Sequence, residues 1–234
     1  MLSPVWATLV TFAAALAWLR LMDFAAERGW LDSHLSRKLI HIGTGPIFLL
    51  CWLLFPEIPV SRWLAALVPL AITAQFALVG LGIIQDEAAV QAMSRTGDRG
   101  EILRGPLYYG VMFVLLTLLF WKEHPAGMVA LLMMCGGDGL ADVVGRRIPS
   151  PALPWSRRKT LAGSLSVWLG GWIASWAILE IYTAAGVFAP PAGGWALPLL
   201  AVGLVAALVE SLPFRDVDNI TMTLAALLAA WAWL

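Results

Sequence analysis

GMVALLMMCGGDGLADVVGRR, residues 127–147, decides how the chain is read. It begins as an apolar run from Gly127 to Cys135, sets Asp138 and Asp142 four residues apart among glycines, and ends on Arg146 and Arg147. As a helix, the stretch is long enough to cross the ~30 Å hydrocarbon core of a bilayer. Two carboxylates near one end of such a run carry an insertion cost of about 2.5–3.5 kcal/mol each at mid-membrane, so they call for a reason. The rest of the chain agrees with a membrane setting. Of 234 residues, 60% are hydrophobic and only 13% are charged, about half the ~25% usual for a soluble domain. Mean hydropathy is +0.81. Thirteen tryptophans suit the aromatic belts of a membrane protein. Fifteen basic residues balance fifteen acidic ones, which argues against bulk electrostatic binding of nucleic acid. Cys51 and Cys135 lie in apolar stretches and read as buried thiols, not as a disulfide or zinc framework.

Outward from this stretch, the apolar runs number about eight: 4–22, 39–55, 63–84, 106–121, 127–145, 161–184, 196–212 and 219–234. Two are short and one carries the aspartates, so the expectation is an all-α, polytopic integral membrane protein of seven to eight transmembrane helices. The first run lacks a basic segment before it and reads as a retained anchor, although Ala15-Leu16-Ala17 resembles a cleavage site. No soluble domain, internal repeat or low-complexity linker stands out, and residues 1–234 read as one domain.

The loops alternate in charge. Thirteen of the fifteen basic residues fall in one set: Arg20, Arg28, Arg37 and Lys38; Arg95, Arg99 and Arg104; Arg146, Arg147, Arg157, Arg158 and Lys159; and Arg215. Only Arg62 and Lys122 fall in the other. This asymmetry places the basic loops on the cytoplasmic side, or its topological equivalent, with both termini opposite. The polar stretch 85–105 reads as a short interfacial helix and a turn, and 145–160, with Pro149, Pro151 and Pro154, as an irregular loop.

Four ionisable residues inside the runs stand out: His41, Asp138, Asp142 and Glu210. Each lies in the half of its run nearer the basic loops. That is the depth at which a lipid hydroxyl meets a water-soluble co-substrate. In a continuous helix Asp138 and Asp142 stack on one side, where their mutual repulsion calls for a divalent cation or arginines. Gly136, Gly137 and Gly139 allow close approach of another backbone or of a phosphate; glycine-mediated helix packing is the plainer alternative. Arg157, Arg158, Lys159 and Thr160, then Gly163 and Ser164, open a run. The cations suit an interfacial anchor, while backbone N–H groups of the first turns suit a triphosphate. The spacing is not that of a P-loop. Glu210-Ser211-Leu212-Pro213 is followed by Asp216, Asp218 and Asn219, where Asp218 suits a helix cap. Lys38 and His41 share a helix face. Glu101 to Tyr109 reads as a span entrance with interfacial tyrosines. Carboxylates, cations and glycines at one membrane face suit metal-assisted phosphoryl chemistry on a lipid.

In this order the clusters resemble the polyprenol kinase family, most closely its phytol and farnesol kinase branch. The stretches that carry the resemblance are 37–43 (RKLIHIG), 104–109 (RGPLYY), 133–147 (MMCGGDGLAD, then GRR), 158–164 (RKTLAGS), and 209–213 (VESLP) with Asp218-Asn219. The resemblance runs from about residue 34 to the C-terminus. Thr160 stands where many members carry Ser, and Ile148-Pro149 where Phe-Gly is usual. The resemblance implies a membrane kinase that passes a phosphoryl group from a nucleoside triphosphate, typically CTP, to the hydroxyl of phytol, geranylgeraniol or farnesol. In photosynthetic organisms that activity salvages phytol toward tocopherol, in a thylakoid, plastid or bacterial inner membrane. On that reading Asp138 and Asp142 hold Mg2+ against the nucleotide phosphates, and one of them accepts the alcohol proton. Arg146, Arg158 and Lys159 neutralise phosphate charge. Gly136, Gly137, Gly139, Thr160, Gly163 and Ser164 border the phosphates. Asp218 and Asn219, with Glu210, reach a second metal or the ribose, and Lys38, His41 and Glu210 border the acceptor. The alternatives are a CTP-dependent cytidylyltransferase such as a CDP-lipid synthase, a transporter with an aspartate proton relay, and a membrane scaffold. A transporter often shows repeats and midplane carboxylates, and a scaffold leaves the two aspartates unexplained.

Overall fold

In the computed structural model, residues 2–94, 96–214 and 217–234 are described. Arg95, Arg215 and Asp216, which belong to the basic loops and the last acidic cluster, lie outside the described residues. The helices are α1 (Pro4–Glu27), α2 (Ser33–Trp52), α3 (Val60–Gly80), α4 (Glu87–Met93), α5 (Gly105–Phe120), α6 (Ala126–Leu132), α7 (Gly139–Arg147), α8 (Leu161–Ala184), α9 (Ala196–Glu210) and α10 (Asp218–Trp233). Side chains cap several of them. Asp32 accepts from Leu35 N at 2.8 Å at the start of α2, and Thr160 accepts from Gly163 N at 3.2 Å at the start of α8. Such caps satisfy backbone donors that the first turn leaves open.

All eight apolar runs are helical. Among the described residues, five helical stretches are long and apolar enough to cross a membrane: α1, α3, Arg99–Phe120, Ala126–Arg147 and α8. Ala196–Glu210 is a shorter apolar helix, α10 has 16 residues, and α2 carries Arg37 and Lys38 inside its first turns. Seven to eight spans is therefore more than helix length and composition alone show. Residues 85–105 hold α4 and a 3-10 turn at Arg99–Leu103, close to the expected short helix and turn.

Residues 145–160 are more ordered than expected. α7 continues to Arg147, and the antiparallel hairpin of β1 (Ala152–Leu153) and β2 (Ser156–Thr160) comes next. Trp155 at its tip donates its indole N–H to Ser211 O and Oγ, at 3.2 and 3.1 Å, which ties the hairpin to the end of α9.

α6 is apolar on every side, and a helix of that pattern is stable only when surrounded. Each of its residues is buried. Phe48, Leu49 and Trp52 of α2, Val167 and Leu179 of α8, Leu199 and Val202 of α9, and Met222 and Ala226 of α10 belong to the core that encloses it. Leu119, Ile173, Leu197, Leu228 and Trp231 point outward, as lipid-facing residues do. On the face with few basic residues, both are paired: Lys122 Nζ lies 2.6 Å from Glu57 Oε1, and Arg62 pairs with Glu123.

Candidate active site

Between α6 and α7 the helix widens into a π turn at Met133–Asp138, so Asp138 and Asp142 do not lie on one uniform α-helix. Such turns recur at functional sites. Here the turn forms against α8. A Cβ on Gly136 would stand 3.0 Å from Ala174 Cβ and 3.3 Å from Gly170 O, and one on Gly137 would stand 3.1 Å from Val167 O. On the other side Gly139 meets Ile42 and His41 of α2. The sequence expectation set Gly136, Gly137 and Gly139 beside phosphates; in the structure each of them packs against a neighbouring helix. They are absent from the walls of the large cavity beside Asp138, and their missing side chains let helices approach. Gly163 is different. It faces Gly145 closely, with Ala141 O 3.2 Å from where its Cβ would be, and both glycines line the cavity.

The cavity has a volume of about 1050 Å³. Its polar end gathers candidate residues from distant parts of the chain: Lys38 and His41 on α2, Asp138 and Asp142, Arg146, Arg157 to Thr160 on β2, Ser164, Glu210, Asp218 and Asn219. Asp138 Oδ2 lies 3.6 Å from His41 Nε2. His41 Nε2 is also 3.2 Å from Met134 O. The Tyr109 ring lies 4.3 Å from the His41 ring, and its hydroxyl donates to His41 O at 2.8 Å.

Asp142 is more heavily engaged. Arg146 Nε donates to its Oδ1 at 2.9 Å, and Oδ2 lies 2.7 Å from His34 Nε2 and 3.6 Å from Lys38 Nζ. The two aspartates thus differ, Asp142 being held by cationic groups from two helices. His34 does not stand out in the sequence, yet it precedes Lys38 by four residues on α2, the spacing that puts both on one face.

Lys159 is the hub of the opposite wall. It forms an ion pair with Glu210, and its Nζ lies 3.6 Å from Asp218 Oδ2. Burial works against its charge, but Glu210, Asp138 and Asp218 outweigh that and hold its pKa above the usual 10.5. Glu210 is 2% exposed. Its second oxygen, Oε2, has no hydrogen-bond partner, nor have Asn219 Oδ1 and Ser164 Oγ, and all three residues line the cavity.

Buried acceptors are seldom left unpaired, so this wall suits a ligand that brings donors or a cation. Among the described residues no three His, Cys, Asp or Glu side chains converge as a metal cage. A nucleotide-bound Mg2+ needs only one or two carboxylates besides the phosphates, and Asp138 with the open oxygen of Glu210 fits that demand. Asp142 fits it less well while its oxygens hold Arg146, His34 and Lys38.

The other end of the cavity is apolar. It runs between α1, α2, α3 and α5, past Trp18, Ile47, Phe48, Val68, Ile72 and Phe113. The hydroxyls of Thr11, Thr44 and Thr73 along this arm donate to carbonyls of their own helices, at 2.7, 2.6 and 2.6 Å. The arm therefore presents mainly hydrocarbon. No local pattern in the sequence marks it, because four helices build it by packing.

No family model and no solved structure matches the chain. Curated relatives do. The chain is 38% identical to a probable phytol kinase 3, chloroplastic, of Glycine max, over 97% of this chain and 72% of that protein. It is 38% identical to a farnesol kinase, chloroplastic, of Arabidopsis thaliana, over 98% and 75%. It is 37% identical to phytol kinase 1, chloroplastic, of the same plant, over 99% and 77%.

Proposed function

The chain belongs to the phytol and farnesol kinase family, and from that premise we propose that it transfers the terminal phosphoryl group of CTP to the hydroxyl of phytol or a related isoprenoid alcohol. The observation that carries this reading is one cavity with two characters. A wall of cations and carboxylates opens directly onto a hydrocarbon arm within the helices. A single-chain alcohol laid in the arm brings its hydroxyl to Asp138 and His41, and a nucleotide reaches the other wall from the basic face.

The alcohol oxygen attacks the terminal phosphorus in line, the phosphorus–oxygen bond to the nucleoside diphosphate breaks, and the alcohol proton passes to the Asp138 carboxylate. Positioning and charge neutralisation supply most of the rate in such transfers. Lys159, Arg158 and Arg146 face the phosphates and balance charge as it spreads onto the leaving group. Asp138, with Glu210, would hold Mg2+, which shields the phosphate oxygens from the incoming alcohol. Asn219 Oδ1, a buried acceptor, suits a ribose hydroxyl. At the start of α8 the first backbone N–H groups are taken by Pro151 O, Ser150 Oγ and Thr160 Oγ1, and the unpartnered Ser164 hydroxyl, one turn in, suits a phosphate oxygen. Sidedness is part of the same proposal: the nucleotide arrives from the cytoplasmic side or its equivalent, and both termini lie opposite.

The test uses purified protein in nanodiscs with Mg2+, γ-labelled CTP and a panel of phytol, geranylgeraniol, farnesol and diacylglycerol. The expected result is label in a prenyl monophosphate, with CDP released, and its loss in Asp138→Asn. Release of pyrophosphate with a CDP-lipid product would overturn the kinase reading in favour of a cytidylyltransferase.

A further inference from the structure

Each of the four helices around the apolar arm lends it a deeply buried lining residue. α1 and α3 contribute Thr11 and Val68, and α2 and α5 contribute Phe48 and Phe113. All four are nearly inaccessible. The Phe48 and Phe113 rings lie 5.6 Å apart, and Trp52 stands behind Phe48 at 5.8 Å, edge to face. The packed rings form the floor of the arm. From His41, at the polar end, to Phe48 is seven residues of α2, or about 10 Å of depth at ~1.5 Å per residue. Along α1 the lining runs from Leu19 to Thr11, eight residues and about 12 Å. These four residues mark the buried apolar end of the arm, and none of them carries an unpaired polar side-chain atom.

We propose that Phe48 and Phe113 are the specificity-determining residues for acceptor length: the floor they form sets how much of an isoprenoid chain lies inside the protein before the tail must bend. The inference rests on the prenol kinase reading of the same cavity. A chain that ends above the floor leaves apolar wall uncovered, and one that reaches it must fold back, so a step of one isoprene unit is felt at the floor. In apolar pockets a single methylene changes selectivity by about 10-fold to 200-fold.

The experiment measures kcat/KM for farnesol and for geranylgeraniol in wild type, in Phe113→Ala, which deepens the arm, and in Ala15→Phe, which narrows it midway on the loosely packed α1. The ratio of the two values is taken within one preparation, so a loss of folded protein cancels. Phe113→Ala is expected to raise the geranylgeraniol-to-farnesol ratio by at least about tenfold, and Ala15→Phe to lower it by a similar factor. Ratios within twofold of wild type in both variants overturn the floor as a ruler while leaving the kinase intact. A wild type that labels no prenol removes the reading on which the inference stands.

Discussion

Replacing Lys159 by methionine separates what this residue does for the fold from what it does for the chemistry. The lysine side chain is 22% exposed and that of its partner Glu210 is 3% exposed, with Asp218 at 3.6 Å. Removing one member of a buried pair leaves the other charge uncompensated, which costs about 3–5 kcal/mol. Because Lys159 keeps some contact with solvent, the lower end applies, about 3 kcal/mol. At about 2–4 °C per kcal/mol for a chain of this size, the thermal midpoint in detergent should fall by about 6–12 °C. Substituting both partners, Lys159→Met with Glu210→Leu, removes the buried charge along with its cation, and such replacements are often neutral or stabilising. The double variant should recover most of the lost midpoint yet form no prenyl phosphate, because the cation proposed to face the phosphates and the Glu210 carboxylate proposed to hold Mg2+ are both missing. Tryptophan fluorescence melts and the labelled-CTP assay read the two quantities on one preparation. Two results would refute the reasoning: a single variant as stable as wild type, or a double variant less stable than the single one. The pH sign comes from the same contacts. A lysine whose folded pKa lies above 10.5 gives its full stabilisation below the unfolded value and loses it only as pH rises through the folded one. The destabilisation caused by Lys159→Met should therefore not shrink between neutral pH and about pH 10.

Asp138→Asn should reduce prenol phosphorylation by about 10²–10³-fold, while Asp142→Asn, whose carboxylate already holds Arg146, His34 and Lys38, should cost less; rate measurements at saturating CTP rank the two. Gly136→Ala should lower the thermal midpoint without ligand, at about 1–3 kcal/mol for overpacking against Ala174 and Gly170, and an unchanged midpoint with weakened CTP binding would return Gly136 to the phosphates. Chelation of Mg2+ should abolish turnover and leave the ligand-free melt unchanged, because no described cluster of side chains forms a metal cage. Single cysteines at Leu2 and at Arg157 should react with an impermeant maleimide from opposite sides of a sealed vesicle, as the charge asymmetry of the loops demands.

The helices are legible in the sequence because each apolar run carries its own evidence: length and hydropathy are local properties. The gathering of His41, Asp138 and Glu210 is legible for a related reason, since each is costly inside an apolar run and lies toward the end with the basic loops, from which Lys38 and Lys159 come. The features that escape a sequence reading depend on neighbours far away in the chain. The hairpin at 152–160 is too short for an alternating pattern, and its prolines and cations look like loop until Trp155 reaches Ser211. The role of Gly136 and Gly137 is open to misreading because a glycine that admits a phosphate and one that admits a helix are the same residue. The approach of α8 to both of them is not written in the local sequence. The unequal state of Asp138 and Asp142 comes from α2, which brings His34 and Lys38 to one aspartate and His41 to the other.

The π turn is the point at which these constraints meet. Up to Gly137 the central helix must be buried on every side, and it is. From Leu140 onward it is only partly buried and turns toward the cavity through Ala141, Asp142, Gly145 and Arg146. A uniform α-helix changes from one environment to the other only by giving up contacts on a packed face. A wider turn shifts the register of the residues after it without breaking the helix, and Gly136 and Gly137 leave room beside α8 for that bulge. The turn thus lets one segment be core along one half and active-site wall along the other, with Asp138 at the junction. The paired glycines before Asp138 are then a requirement of the site's geometry although they are absent from the walls of the cavity. They set the register that places Asp138 in the cavity wall, where the proposed reaction needs a carboxylate.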